Sequence, residues 1–242
     1  MKIIICGANG RMGRELVKAV IADTDLLLIG GVVKENDGEG FDLGDLASIS
    51  KTGLFATSDL ESIISSSDLL IDFSSPESSA IFSKIAAHHQ KPYLSGVTGY
   101  SEEQMNQLKT VGANSAIFHS GNMSLGINVL IKLAKMAASL MPTYDIDLID
   151  VHHNKKVDAP SGTAKMIVEA VEKNSKADVI VNSIRVGDFF GEHQIRFSGF
   201  LESVTISHQA QSRSIFALGA LRVAKWLIKQ KPGFYTMDDM LS

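Results

Sequence analysis

Only one cysteine, Cys6, stands in the 242-residue chain, which excludes an intramolecular disulfide. Its place inside the apolar run IIIC makes a buried, inert thiol the expected reading, and a reducing compartment fits. A basic surplus is missing too. The 23 Lys+Arg against 27 Asp+Glu give a net charge of −4, which leaves no electrostatic footprint for nucleic acid. No segment approaches the roughly 18 apolar residues of a membrane span. The opening MKIIICGANG has four apolar residues before its first glycine, too few for a signal-peptide core. We therefore expect a cytoplasmic protein with a small-molecule partner, no nucleic acid and no membrane. Internal repeats, low-complexity tracts and flexible linkers are also lacking, so short hinges should join its parts. What is present is a 45% apolar, 21% charged composition, enough for one large domain or two modest ones with a sizeable core.

The first half alternates strand-like and helix-like runs. KIIIC at 2–6 precedes the glycine punctuation GANGRMG and then RELVKAVIADT, whose apolar residues recur at helical spacing. LLLIGGVV at 26–33, LLIDF at 69–73 and PYLSGV at 92–97 read as further strands, with helices around 59–66, 76–89 and 101–110. This alternation implies βαβ crossovers and a Rossmann-like, doubly wound parallel sheet. A helix near 126–140 then leads to strand-like DIDLIDVHH at 145–153 and a helix at about 161–174. NSIRV, EHQIRFSG and ESVTISHQA follow without helices between them, which implies a C-terminal α+β domain with a mixed sheet. The helical IFALGALRVAKWLIKQ should return to the first domain. The expected division is 1–124 with 213–242 as the dinucleotide-binding domain, and 125–212 as the substrate-binding and oligomerisation domain.

Glycines between a first strand and first helix let backbone N–H groups approach a pyrophosphate. Here they are Gly7, Gly10 and Gly13, with Asn9 where the common G-x-G-x-x-G fingerprint has its second glycine. A tight turn that binds nothing is the plainer alternative. Arg11 offers a cation to a phosphate, which favours the binding reading. About 20 residues past the turn, where the adenosine ribose is usually met, stand Lys34 and Glu35. A carboxylate there favours NAD and a cation favours NADP, so the pair leaves the choice open.

HHNKKVDAPSGTA at 152–164 concentrates two histidines, two lysines, an aspartate and a Pro-Ser-Gly-Thr turn between a strand and a helix. Ser161 is the expected N-cap, which leaves the N–H groups of Gly162 and Thr163 for an anion. Lys156 and His153 add positive charge, so the site suits carboxylates. Hydride addition to a conjugated or imine-like acceptor also demands a proton, which His152 or Lys156 can deliver. Lys155 should face away from Lys156 in an extended segment. For the histidines, a solvated strand end or a structural pair is the alternative.

With GANGRMG, the stretch HHNKKVDAPSGTA resembles the signature of the 4-hydroxy-tetrahydrodipicolinate (dihydrodipicolinate) reductases of lysine and diaminopimelate biosynthesis. IDFSSPE, SGVTGY, GNMSLGIN, GEH and HQAQSRSIFALGA resemble further blocks of that family, in the same order along nearly the whole chain. The resemblance implies NAD(P)H-dependent reduction of (hydroxy)dihydrodipicolinate to tetrahydrodipicolinate, with NADPH or NADH as cofactor and no metal. It assigns proton transfer to His152 and Lys156, and carboxylate binding to His153, Ser161, Gly162 and Thr163. Gly7, Ala8, Asn9, Gly10, Arg11 and Met12 would line the cofactor. So would Lys34, Gly96, Val97, Thr98, Ser120, Gly121, Asn122 and Met123. It also implies a homotetramer acting on a small dicarboxylate.

Some positions depart from the family's usual pattern. Asp150 replaces a common glutamate, Val97 a frequent threonine, and Lys34-Glu35 the Glu-Arg order of some members, while residues 174–184 form a shorter segment. None of these changes removes a proton-transfer group. A non-catalytic NAD(P)-responsive sensor is the alternative of another class, though no docking surface is evident in the sequence. A hydrolase metal set of Asp150, His152 and His153 is disfavoured, because adjacent histidines on an extended strand do not readily converge on one ion.

Overall fold

Ile3 and Ile5 of β1 (Lys2–Cys6) pack into one buried cluster and Ile4 and Cys6 into another, the period-2 signature of a strand covered on both faces. The computed structural model describes residues 1–242. After β1 come α1 (Arg11–Ala22), β2 (Leu27–Val32), α2 (Leu43–Ala47), β3 (Ala56–Thr57), α3 (Glu61–Ile64) and β4 (Leu69–Asp72). Next are α4 (Pro76–His88), β5 (Tyr93–Ser95), α5 (Glu102–Val111) and β6 (Ala116–His119). Then follow α6 (Leu125–Leu140), β7 (Asp145–His152), α7 (Gly162–Glu172), β8 (Val179–Arg185), β9 (Glu192–Ser198) and β10 (Ser203–Gln209). The chain closes with α8 (Ser214–Leu227), β11 (Gly233–Tyr235) and α9 (Met237–Met240).

Two compact units result, Met1–Met123 with Phe216–Ser242, and Ser124–Ile215. The first holds a seven-stranded sheet in the order β11-β6-β5-β4-β1-β2-β3, parallel at every pairing. Residues of α1, α2 and α8 cover one face and residues of α3, α4 and α5 the other. This is the doubly wound, Rossmann-like architecture expected from the alternation of elements. The chain winds one way from β1 to β2 and the other way from β1 to β4, so the strand order switches beside β1.

The second unit holds a four-stranded sheet in the order β10-β9-β7-β8. β7 and β8 are parallel, joined through α7, whereas β7–β9 and β9–β10 are antiparallel. The sheet is therefore mixed, as expected. Its core joins Ile127, Ile131 and Ala134 of α6 and Ile167 and Val171 of α7 to Ile146, Leu148, Ile195 and Phe197. Only one face is covered in this way. Ile180 and Ile184 of β8, on the other face, are 64% and 44% exposed.

Local reading of the sequence misses α2, β3, β6, β11 and α9, which have two to five residues each and offer no window in which a period can register. It also starts β8 three residues late, at Asn182 rather than Val179, and overextends α3.

Candidate active site

Every strand of the first sheet points the same way, so the loops that follow β1, β5 and β6 lie along one edge. These loops and the first turn of α1 carry Gly7 to Met12, Gly96 to Thr98 and Ser120 to Met123. Gly7 adopts φ +78, and a Cβ there would come within 2.9 Å of the Phe73 and Ser74 backbone, so only glycine fits. A Cβ on Gly13 would stand 2.1 Å from the Gly7 carbonyl oxygen, which fixes how closely α1 approaches the turn. A Cβ on Gly96 would strike the Phe73 ring at 2.2 Å.

Serine hydroxyls cap α4, α5, α6 and α7, each accepting a first-turn N–H. Gly10 stands at the N-cap of α1 and brings no side-chain cap. Backbone N–H groups at the positive end of that helix are thus left for an anion, and these residues fit a dinucleotide pyrophosphate. Ala8 and Met123 are buried in the apolar core, so any contact they make with a ligand is through their backbone. Val97 is also buried, whereas Thr98, Arg11 and Lys34 are exposed. Ser120 and Asn122 brace their own loop, with the Ser120 hydroxyl donating to the Asn122 carbonyl at 2.8 Å.

The second unit builds its site from side chains. His152 ends β7 with its side chain on the covered face, two residues beyond the fully buried Asp150. Asp150 Oδ1 lies 2.9 Å from His152 Nδ1 and 3.3 Å from His193 Nε2. Its Oδ2 accepts from the Ser161 N–H at 2.9 Å, Arg185 Nη2 at 3.0 Å and the Ser183 hydroxyl at 3.2 Å. Burial alone would raise this carboxyl's pKa, but His152, His193, the Ser161 N–H and Arg185 together hold it well below the usual carboxylate range. The His152 and His193 rings meet edge to face at 5.3 Å. A Cβ on Gly191 would stand 3.0 Å from His152 Nε2, so glycine there leaves that nitrogen uncrowded.

Above this hub, the N–H of His153 donates to the Phe189 carbonyl at 2.8 Å and that of Asn154 to the Gly187 carbonyl at 3.1 Å, which anchors the loop after β7 to the loop after β8. Lys156 Nζ lies 2.7 Å from Asp158 Oδ1. Asp158 in turn is drawn below its ordinary pKa, chiefly by that contact. His153 titrates below its usual value, first because burial disfavours its charge and then because Arg213, His152 and Lys156 are cationic neighbours. The Ser161 hydroxyl is buried, accepts from the Ala164 N–H at 3.1 Å and lies 3.3 Å from His193 Nε2. Gly162, by contrast, is exposed with open space where a Cβ would project. An anion at the start of α7 would therefore meet backbone N–H groups with room to approach them.

The structure gathers His152, His153, Lys156, Ser161, Gly162 and Thr163 around one strand end and one helix start. Sequence reasoning gave no role to Arg185, His193 or Arg213. His193 reaches Asp150 from a neighbouring strand, paired with it in the β7–β9 register. Asp150, His152 and His193 lie close enough to hold a cation, a different set from the one that includes His153. Arg185 already neutralises Asp150 there, so a dication would enter against a guanidinium.

Comparison with known proteins covers both units. The family model described as "Dihydrodipicolinate reductase, N-terminus" matches residues 1–123, and "Dihydrodipicolinate reductase, C-terminus" matches residues 126–241. A 4-hydroxy-tetrahydrodipicolinate reductase of Caldanaerobacter subterraneus subsp. tengcongensis is 37% identical over 259 residues, covering 100% of this chain and 98% of that protein. Among solved structures, a dipicolinate-bound dihydrodipicolinate reductase from Paenisporosarcina sp. TG-14 aligns with a TM-score of 0.82 at 21% identity, covering 98% of this chain and 97% of that one. GenD2 from gentamicin A biosynthesis, in complex with NAD, aligns with a TM-score of 0.65 at 12% identity, covering 99% of this chain and 89% of that one. These last two likenesses concern the fold alone.

Proposed function

The chain belongs to the dihydrodipicolinate reductase family, and we propose that it reduces (hydroxy)dihydrodipicolinate to tetrahydrodipicolinate with a nicotinamide cofactor, in lysine and diaminopimelate biosynthesis. When bound, that cofactor, NADH or NADPH, supplies a hydride. The chain's own residues must hold the substrate and manage the proton. The observation that carries this reading is the cluster of Lys156, Arg213 and His153 near the open start of α7, with His152 held against Asp150 beneath it.

A dicarboxylate fits that cluster. One carboxylate would lie on the N–H groups of Gly162 and Thr163, Lys156 and Arg213 would balance the rest of its charge, and His153 would donate a hydrogen bond. Ser161 supports this through its cap and its link to Asp150, rather than through a free hydroxyl. Lys156 is the proton donor. Its contact with Asp158 holds it in place, and the substrate must draw it away. His152 exchanges protons through Nε2, while Asp150 at its Nδ1 fixes the ring. Asp150, His193 and Arg185 are positioning residues in this account.

We place the cofactor along the edge made by Gly7 to Met12, Lys34, Gly96 to Thr98 and Ser120 to Met123, where backbone groups and small residues leave room. We further propose a cytoplasmic homotetramer. In support, the second sheet leaves Ile180 and Ile184 uncovered beside the half-buried Ile149 and Val151, an apolar face suited to a second copy.

The test is cofactor oxidation, followed by its absorbance, with substrate made in situ from pyruvate and aspartate semialdehyde by a synthase. Substrate-dependent oxidation is expected. Cofactor binding without oxidation would overturn the assignment and bring forward a sensor role.

A further inference from the structure

Lys34 and Glu35 leave the cofactor choice open, but neither is the acidic or basic group that the fold ties to the glycine turn. Both are exposed where the chain leaves β2. The chain then doubles back. The Asp37 N–H donates to the Lys34 carbonyl at 2.9 Å, and Asn36 takes a left-handed φ of 61. This tight turn brings Asp37 against Asn9, whose Nδ2 donates to Asp37 Oδ1 at 2.8 Å. A second, longer contact from the same amide reaches the Asp37 carbonyl at 3.3 Å.

Arg14 sets the amide's orientation. Its Nε donates to the Asn9 carbonyl at 3.0 Å and its Nη2 to Asn9 Oδ1 at 2.9 Å. With Oδ1 so engaged, Nδ2 is the face left for Asp37. The turn itself is anchored to the end of β2, since the N–H groups of Gly7 and Ala8 both donate to the Val32 carbonyl, at 2.8 and 3.0 Å. The next acidic residue, Glu39, is committed elsewhere and accepts from the Ser58 hydroxyl at 2.6 Å and its N–H at 3.0 Å. Close fit extends to Gly38, where a Cβ would stand 3.2 Å from Asn9 Nδ2.

We propose that Asp37, held by the Arg14–Asn9 pair at the mouth of the glycine turn, is the cofactor-specificity residue and selects NADH over NADPH. The inference rests on the dinucleotide reading of the first unit. A carboxylate at the end of the second strand accepts hydrogen bonds from a ribose diol. A 2′-phosphate placed there would set like charges against each other at short range.

The experiment is calorimetric titration of the full-length protein and of Asp37→Asn with NADH and with NADPH, without substrate. Asparagine keeps the shape and can still accept from Asn9, so the turn should survive. The wild-type protein should bind NADH at least about tenfold more tightly than NADPH, and the variant should bring the two affinities to within a few-fold. Equal or reversed affinities in the wild type, or a ratio unmoved by Asp37→Asn, would overturn the role of Asp37 and leave the dinucleotide site standing. Failure of both cofactors to bind the wild type would overturn the dinucleotide site itself, and the proposal with it.

Discussion

The two units prepare for a ligand in opposite ways. At the sheet edge of the first, the groups that would face the proposed cofactor are largely backbone: an uncapped helix start at Gly10, a left-handed Gly7, and loops in which Ala8, Val97 and Met123 are buried. The second unit works through side chains. Asp150 is buried among His152, His193 and Arg185, and the reacting candidates stand on that base. A backbone site needs absences, so glycine is its working residue. A side-chain site needs charge taken out of water and then compensated, and its weak points are the compensating groups.

Substitutions can break this contrast. The largest effect is expected from Asp150→Asn, which strips the charge that balances Arg185. A loss of about 3–5 kcal/mol is expected from thermal or urea unfolding, together with nearly all turnover. The same group predicts an acid dependence. Because the folded carboxyl titrates below its usual range, its stabilisation is present above the unfolded value of about 3.9 and fades as pH falls through the folded one. Melting temperatures of wild type and variant should therefore draw together as pH is lowered from neutral toward about 2. A constant gap would show that the stabilisation does not come from the charge.

Gly13→Ala should come next, since its Cβ meets the Gly7 carbonyl oxygen at 2.1 Å. Overpacking of this kind typically costs about 1–3 kcal/mol, and cofactor affinity should fall with it while the second unit keeps its substrate groups. Gly162→Ala is the mildest test, because nothing in the protein occupies the space its Cβ would enter. Stability should be unchanged within about 0.5 kcal/mol, while the substrate KM rises several-fold with little change in kcat. If instead Gly162→Ala destabilises and Gly13→Ala does not, the assignment of the two glycines is reversed.

How much could be read in advance follows the same divide. The glycine turn, the strand ends and the 152–164 stretch are local, so period and punctuation expose them. The Asp150 hub is not local. His193 enters from β9 and Arg185 from β8, and only the β7–β9 and β7–β8 registers bring them beside Asp150. Alternation along DIDLIDVH does put Asp150 and His152 on the same side as Ile146 and Leu148. An acid and a histidine on an otherwise apolar face were therefore the available signal for a buried pair. Asp37 had no such signal, because a tight turn after β2 decides which acidic residue reaches Asn9.

In the proposed reaction the first unit binds the cofactor and the second supplies the proton. Lys156→Ala tests it most directly, with cofactor Kd and kcat measured on one preparation. The variant's kcat should be lower by about 10²–10⁴, as for loss of a general acid, with cofactor Kd unchanged within about twofold. An equal loss of cofactor binding and turnover, or turnover close to that of the wild type, would contradict it.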